Sequence, residues 1–231
     1  RVAVMAKERP LVTAQTGVRA HADTLSGLPL AARFSYIYEH NLWGSEETRS
    51  GLGSSHEETR VLRERLAALF ERLGIESLLD IPCGDFHWLS TMRLPASYTG
   101  ADIVPAIVAA NEARYGGPGR TFAQLDLTAS PLPRADLILC RDCLVHLCDA
   151  NIRKALGNMR ASGARYLLMT HFPEQEENAD IPDGDWRPLN FTLAPFALPP
   201  PEEILIEECA EGGGAFRDKA LGLWRVDTLP A

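Results

Sequence analysis

The chain has 231 residues, of which 45% are hydrophobic and 23% are charged, and its formal net charge is −8. This length and apolar content are typical of a single globular domain with a full core, and they exclude an intrinsically disordered chain. The negative charge argues against a nucleic-acid partner, because nucleic-acid-binding surfaces are usually basic.

Five cysteines lack the paired spacings of a disulfide framework, which favours free thiols and a reducing, cytoplasmic compartment. No apolar run approaches the length of a membrane span, so we expect no membrane partner. We expect a monomer or homodimer that acts on a small-molecule substrate.

The N-terminal stretch, residues 1–55, is predicted to form an arm and a lid. It contains an aromatic-rich segment, Phe34 to Gly44, followed by a polar loop with several glycines. Tyr36 and Trp43 are its candidate ligand contacts, because aromatic faces can hold a cation and exclude water. The alternative is a helix that packs on the edge of a sheet.

An amphipathic helix is predicted next. Ser55 and Glu58 match a capping box, and apolar residues from Leu62 to Leu73 share one helical stripe. Gly74 is expected to end this helix.

The central motif of the chain follows this helix. The apolar run Leu78 to Ile81 predicts a buried strand, and it leads through Asp80 into a tight turn at residues 82–85. A short helix is expected over residues 86–92, so that backbone N–H groups of the turn face a ligand. A second strand ends at Asp102, where Rossmann-like folds place an acid on a ribose diol.

Further strands and helices alternate along the rest of the chain. Strands are predicted at residues 121–125, 136–140 and 166–170, with helices at 105–115 and 151–160. This alternation predicts a doubly wound, mostly parallel α/β sheet, which binds ligands at the carboxyl ends of its strands. The polar residues at those ends are Asp80, Asp102, Asp126, Arg141, Asp142 and His171.

Four segments in this order resemble the motifs of class I S-adenosylmethionine (SAM) dependent methyltransferases: residues 79–84, Asp102, residues 122–127 and residues 135–142. The resemblance departs from the family at Pro82 and Phe86, which stand where glycines are usual. It implies a Rossmann-like fold, a late antiparallel hairpin and SAM as cofactor. The residues it implies for SAM binding are Asp80, Pro82, Cys83, Gly84, Asp85, Asp102, Ile103, Asp126, Leu127 and Arg141. The alternative is a Rossmann-like domain that binds another nucleotide or none.

The first motif, with Trp43-Gly44 and Trp186-Arg187-Pro188, also looks like that of a small bacterial subgroup of this family.

The segment from Cys140 to Cys148 has the spacing Cys-x-x-Cys-x-x-His-x-Cys, which offers possible zinc ligands. It leaves a buried strand, where cysteines usually act as small apolar residues, so we expect no metal. The preferred interpretation is a loop that faces the methyl donor. The candidate general bases are Asp142, His146 and His171, in that order.

Residues 173–203 show little periodicity and are predicted to form an ordered insertion that caps the acceptor site. Its candidate substrate contacts are Trp186, Arg187 and Asn190. The alternative is an Ω-like surface loop anchored by Trp186.

The expected function is methyl transfer to an oxygen or nitrogen of a small molecule, with S-adenosylhomocysteine as product. One alternative is cyclisation of SAM to azetidine-2-carboxylate with release of methylthioadenosine, because aromatic lid residues suit both reactions. The other is a SAM-binding sensor without activity.

Overall fold

The computed structural model describes residues 9–230, which build a seven-stranded sheet in the order β3-β2-β1-β4-β5-β7-β6. The first eight residues of the predicted arm lie outside that range. Six of the seven strands point in the same direction, and β7 alone in this sheet runs antiparallel, to its neighbours β5 and β6. The strands are β1 (Ser77–Asp80), β2 (Ser97–Asp102), β3 (Arg120–Gln124), β4 (Leu137–Cys140), β5 (Tyr166–His171), β6 (Glu203–Ile206) and β7 (Ala220–Arg225). The predicted mostly parallel, doubly wound α/β sheet is confirmed.

In the described part of the chain, six α-helices and one short helical turn flank the sheet. They are α1 (Thr13–Arg19), α2 (Ala22–Ser26), α3 (Leu30–Glu39), α4 (Arg60–Leu73), α5 (Pro105–Tyr115), α6 (Asp149–Ala161) and the turn α7 (Glu211–Gly214). Within residues 9–230, none of them combines the length and apolar character that crossing a bilayer requires.

The core has two layers, because successive side chains of a strand point to opposite faces of the sheet. On one face, Leu78 and Leu139 pack with α4 and α5. On the other face, Leu79 and Ile138 pack with α6 and with buried residues of the 173–203 stretch, such as Phe191. That stretch is therefore an ordered part of the core, although it forms no helix or strand before β6.

The helix predicted over residues 86–92 is wrong, since only a 3₁₀ turn forms at Leu89–Thr91. Phe86 has a φ of 57°, and a left-handed residue at this position prevents a right-handed helix from starting there. Its ring is fully buried against Tyr98 and Phe122, with centroid distances of 5.1 and 5.3 Å. This aromatic packing holds Phe86 in the left-handed conformation that glycine usually adopts.

The start of the helix before β1 also differs from the prediction. The hydroxyl of Ser55 accepts a hydrogen bond from the backbone N–H of Glu58 at 3.2 Å, but it closes a turn, and α4 begins five residues later at Arg60. The end of the helix is as expected, because Gly74 takes the left-handed conformation with a φ of 58°.

Candidate active site

A cavity opens at the carboxyl ends of β1, β2 and β4, with an empty volume of about 1030 Å³ that includes space open to solvent. The parallel strands end at one edge of the sheet, and this brings together residues that are far apart in sequence. The residues implied above for SAM binding all line it: Asp80, Pro82, Cys83, Gly84, Asp85, Asp102, Ile103, Asp126, Leu127 and Arg141.

Aromatic side chains from the N-terminal part of the chain form the facing wall. Phe34 and Tyr38 on α3 and Trp43 beyond it line the cavity. Tyr36, which the sequence analysis selected, does not line it and stacks instead on His40 with a centroid distance of 3.8 Å. Phe34 and Tyr38 are four residues apart and therefore share one face of α3. Tyr36 is two residues from each of them, so its side chain lies on a different face of the helix.

The loop of residues 44–55 closes one side of the cavity, and Asp85 holds it there. The Asp85 carboxylate accepts hydrogen bonds from the Thr48 hydroxyl (2.7 Å), the Arg49 backbone N–H (3.1 Å) and the Ser50 hydroxyl (3.1 Å). A Cβ at Gly84 would lie 2.2 Å from Oγ of Ser50, so glycine is required for this close approach.

Two buried carboxyl groups lie at the base of the cavity. Burial raises the pKa of Asp80 to about 7, although Tyr98 donates a hydrogen bond to it at 2.6 Å. Burial likewise raises the pKa of Asp102 to about 6, although the N–H groups of Val104 and Gly84 donate to it at 3.0 and 3.2 Å. Both groups can therefore change protonation when a ligand supplies new hydrogen-bond donors.

Asp126 lies at the same cavity, at the end of the third strand. Its Oδ1 accepts hydrogen bonds from the backbone N–H and the hydroxyl of Thr128, both at 2.7 Å. These bonds fix the direction of the carboxylate.

A second cavity of about 570 Å³, again including open space, adjoins the first. Trp43, Ser50, Asp142 and His146 line both cavities. The other walls of the second cavity are aromatic and charged, and they include Phe172, Trp186, Glu211, Phe216 and Lys219. Trp186 is thus the residue of the 173–203 stretch that reaches this site.

A buried ion cluster supports the boundary between the cavities. Lys219 donates to Oδ2 of Asp142 at 2.6 Å, and Arg141 pairs with Glu207 at 2.6 Å and with Asp142 at 3.2 Å. Burial tends to raise the pKa of Asp142, but Lys219 and Arg141 outweigh it and hold that pKa below its usual range. Asp142 also has a φ of 50°, which is uncommon for a non-glycine residue and is often found at functional sites.

His146 has the properties of a neutral base. Burial lowers its pKa to about 4, although the Asp185 carbonyl and Asp142 oppose this shift. Nδ1 lies 2.9 Å from the Asp185 carbonyl, which requires that nitrogen to carry the proton and leaves Nε2 as an acceptor. The ring stacks on Trp43 at a centroid distance of 4.9 Å.

Trp43, which lines both cavities, has a hydrogen-bond donor without a partner. Its indole N–H is buried and has no hydrogen-bond partner among residues 9–230. Since an unpaired buried donor is costly, a ligand acceptor would stabilise it.

Besides Tyr36, three other selected residues reach neither cavity. His171 is buried beside Trp224 and accepts the backbone N–H of Phe191 at 3.3 Å. Arg187 pairs with Asp149 at 3.0 Å and donates to the Leu144 carbonyl, so it supports the segment that carries His146. Asn190 binds backbone groups within its own stretch, including the Gln175 carbonyl at 3.0 Å.

Several lining residues were missed by the sequence analysis. Phe34 and Tyr38 could have been found from their spacing of four on α3, with Leu30 one turn earlier. Lys219 and Glu207 have no local signal, because they reach Asp142 and Arg141 only through the pairing of β5, β6 and β7.

No model of a known protein family matches the sequence, and no curated protein matches it. Solved structures do resemble it. Human N-acetylserotonin methyltransferase in complex with SAM has a TM-score of 0.58 and 15% identity, over 92% of this chain and 66% of that chain. The N-methyltransferase NodS from Bradyrhizobium japonicum WM9, in complex with S-adenosyl-L-homocysteine, has a TM-score of 0.58 and 17% identity, over 85% of this chain and 98% of that chain.

A bacterial CtHen1 methyltransferase domain also matches, with a TM-score of 0.44 and 11% identity over 49% of this chain and 66% of that chain. The chain thus spans just under two thirds of the length of the CtHen1 domain and of the human enzyme. The strand order and the two matches of higher score show that this chain has the Rossmann-like fold of SAM-dependent methyltransferases.

Proposed function

We propose that the chain is a methyltransferase that binds SAM in the first cavity and a small-molecule acceptor in the second. The observation that carries this proposal is the boundary that the two cavities share, formed by Trp43, Ser50, Asp142 and His146. Methyl transfer requires donor and acceptor sites side by side, whereas cyclisation of SAM requires one site. Both neighbours of higher TM-score are methyltransferases, and one is named for N-acetylserotonin, a small molecule.

The residues of the first cavity suit SAM. Carboxylates only accept hydrogen bonds when ionised, so Asp102 fits the ribose hydroxyls and Asp126 the adenine amine. Asp80 lies where it can meet the ammonium group of the methionine part. The aromatic rings of Phe34, Tyr38 and Trp43 suit a sulfonium cation, and in this proposal they form the predicted lid. When bound, SAM supplies an activated methyl group on positively charged sulfur.

His146 is the base that we assign to the second cavity. Its Nε2 is free to accept a proton from an acceptor hydroxyl or amine, and its low pKa keeps the ring neutral near pH 7. Asp142 is a weaker candidate than the sequence suggested, because its Oδ2 is already occupied by ion pairs with Lys219 at 2.6 Å and with Arg141 at 3.2 Å. We assign Asp142 to positioning, beside the ring of His146.

The test of this proposal follows the nucleoside product by mass spectrometry. The protein is incubated with SAM and fractionated pools of small molecules, and with SAM alone. We expect S-adenosylhomocysteine to form only with certain pools. Catalytic formation of methylthioadenosine from SAM alone would instead establish cyclisation. SAM binding without any product across all pools would contradict methyl transfer and favour a sensor.

A further inference from the structure

Three side chains with metal-binding atoms meet outside the two cavities: Glu47, His56 and His87. One ligand atom from each lies within 4.8 Å of the other two. They come from three separate segments, namely the 44–55 loop, the turn before α4, and the loop that follows β1. The sequence analysis did not find this group, because its members are separated by 9 and 31 residues.

The three side chains already contact one another, and one of their ring nitrogens has no hydrogen-bond partner among the described residues. Nε2 of His87 lies 2.8 Å from Oε1 of Glu47, and the backbone N–H of His56 donates to the same oxygen at 2.8 Å. Nδ1 of His56 is buried and has no hydrogen-bond partner among the described residues. An unpaired buried ring nitrogen is costly, and a metal ion would satisfy it.

The two imidazole rings lie close together, with centroids 4.1 Å apart. Glu47 supplies a negative charge and is exposed, with 44% of its side chain accessible, so an ion can enter from solvent. The Arg63 guanidinium lies close by, since it donates to the His56 carbonyl at 2.9 Å. The attraction between Glu47 and a divalent ion must therefore exceed the repulsion between that ion and Arg63.

We infer that Glu47, His56 and His87 form a binding site for Zn²⁺, with water completing the coordination shell. Two imidazoles and one carboxylate are a ligand set that zinc accepts in tetrahedral sites. Binding the ion replaces the direct contact between Glu47 and His87, and the Glu47 side chain is exposed enough to rotate for this. The site is distinct from the two cavities, whose lining includes none of these three residues.

A zinc ion here would fix the 44–55 loop. His87 is two residues after Asp85, which holds Thr48, Arg49 and Ser50 of that loop. The metal therefore adds a second link between the loop and the segment after β1, and it orders the loop whether or not the protein transfers methyl groups. Failure of the zinc site leaves the proposed function standing, and the reverse also holds.

The test measures zinc affinity of the metal-free full chain, without a histidine tag, by competition with a chromogenic zinc chelator. We expect one equivalent of Zn²⁺ to bind. His56→Ala and His87→Ala are each expected to weaken binding by more than about tenfold, since even outer-shell partners of a metal contribute that much. His40→Ala, at an exposed histidine elsewhere, and Cys148→Ser, in the cysteine-rich segment, serve as controls with unchanged affinity.

A second readout follows trypsin cleavage after Arg49, which is exposed in the 44–55 loop. Zinc is expected to slow this cleavage in the wild type and in His40→Ala, but not in His87→Ala. Circular dichroism of each metal-free variant establishes that it is folded. Absence of stoichiometric binding would overturn the inference. Equal affinity of the wild type, His56→Ala and His87→Ala, or a loss of binding in Cys148→Ser alone, would also overturn it and place the metal elsewhere.

Discussion

At the scale of single residues, burial sets the chemistry of the candidate site. Asp80 and Asp102 have raised pKa values because water is excluded from them, whereas Asp142 keeps a low pKa because Lys219 and Arg141 outweigh its burial. Three aspartates at the ends of parallel strands therefore have pKa values shifted in different directions, because burial dominates at two of them and ion pairing at the third.

The protonation of Asp102 predicts a pH-dependent affinity. Its pKa of about 6 in the free protein is raised by burial, so the ionised form is the costly one, and stability from this group falls as pH rises through 6. Ribose hydroxyls would stabilise the ionised form, so the affinity for S-adenosylhomocysteine should fall as pH drops below about 6. Calorimetry between pH 5 and 8 measures this.

The variant Asp102→Asn should bind S-adenosylhomocysteine about 10- to 100-fold more weakly at pH 7.5, corresponding to about 1–3 kcal/mol, with a flatter pH profile. Asp80→Asn is the variant for comparison with Asp102→Asn, because it makes the same change at a second buried aspartate of this cavity, whose pKa is also raised, to about 7. Wild-type affinity and pH slope in Asp102→Asn would contradict the assignment.

The neutral state of His146 predicts its contribution to turnover. With an acceptor identified from the product screen, His146→Ala should lower kcat by about 10²- to 10⁴-fold. The fall in kcat should exceed any change in the KM for SAM, since His146 also lines the first cavity but its proton acceptor acts on the other substrate. His40→Ala is a control at an exposed histidine. Because burial lowers the pKa of His146 to about 4, wild-type kcat should show no acidic limb near pH 6.5; such a limb would assign the base to another group.

At the scale of secondary-structure elements, the 44–55 loop and α3 cover the strand ends. The helix presents Phe34 and Tyr38 to the cavity, and the loop is held through Asp85 and through the Gly53 carbonyl, which accepts from Arg141 at 2.7 Å. Polar contacts of this kind can break without exposing a large apolar area, so the loop is suited to opening for ligand exchange.

Removing the Asp85 contacts should open this loop. Asp85→Ala loses the acceptor for three hydrogen bonds from the loop, and we expect faster trypsin cleavage after Arg49 and a dissociation rate of S-adenosylhomocysteine raised by about tenfold or more. Cleavage is followed by mass spectrometry and dissociation by stopped-flow fluorescence. Glu46→Ala, an exposed neighbour in the loop, should behave as the wild type. Unchanged rates in Asp85→Ala would show that other contacts hold the loop.

At the scale of the whole molecule, the ion cluster joins two parts of the sheet. Arg141 and Asp142 follow the parallel strand β4, whereas Glu207 directly follows β6 and Lys219 directly precedes the antiparallel strand β7. These four side chains carry equal numbers of opposite charges, and all but Asp142 are at least nine-tenths buried. The pair of β6 and β7 thereby positions the boundary between the two cavities.

Removing one partner of this cluster should destabilise the fold. Lys219→Met leaves Asp142 and Glu207 with one cation, and we expect a loss of about 3–5 kcal/mol in the free energy of unfolding. For a chain of this size each kcal/mol lowers Tm by roughly 2–4 °C, which calorimetry can measure. Arg225→Ala, which removes an exposed ion pair with Asp227, should leave the free energy of unfolding close to that of the wild type, because water screens this pair. A Lys219→Met protein as stable as the wild type would show that the cluster adds no net stability.

The sequence by itself determined the fold class and most of the polar residues that line the first cavity. The apolar runs and the spacing of Asp80, Gly84, Asp102 and Asp126 are local patterns, and parallel strands necessarily bring their carboxyl ends to one edge. The end of α4 at Gly74 was also predictable, because a left-handed glycine is a local C-terminal signal.

Only the tertiary structure decided which candidates reach the cavities and in what protonation state. His171 is the last residue of β5, yet its side chain packs beside Trp224 and away from the cavities. The guanidinium of Arg187 binds Asp149 and backbone carbonyl groups and does not reach a cavity. Lys219 makes Asp142 a poor base through a contact 77 residues away in the chain. Burial and long-range ion pairing depend on how distant segments pack, and no local pattern of residues encodes them.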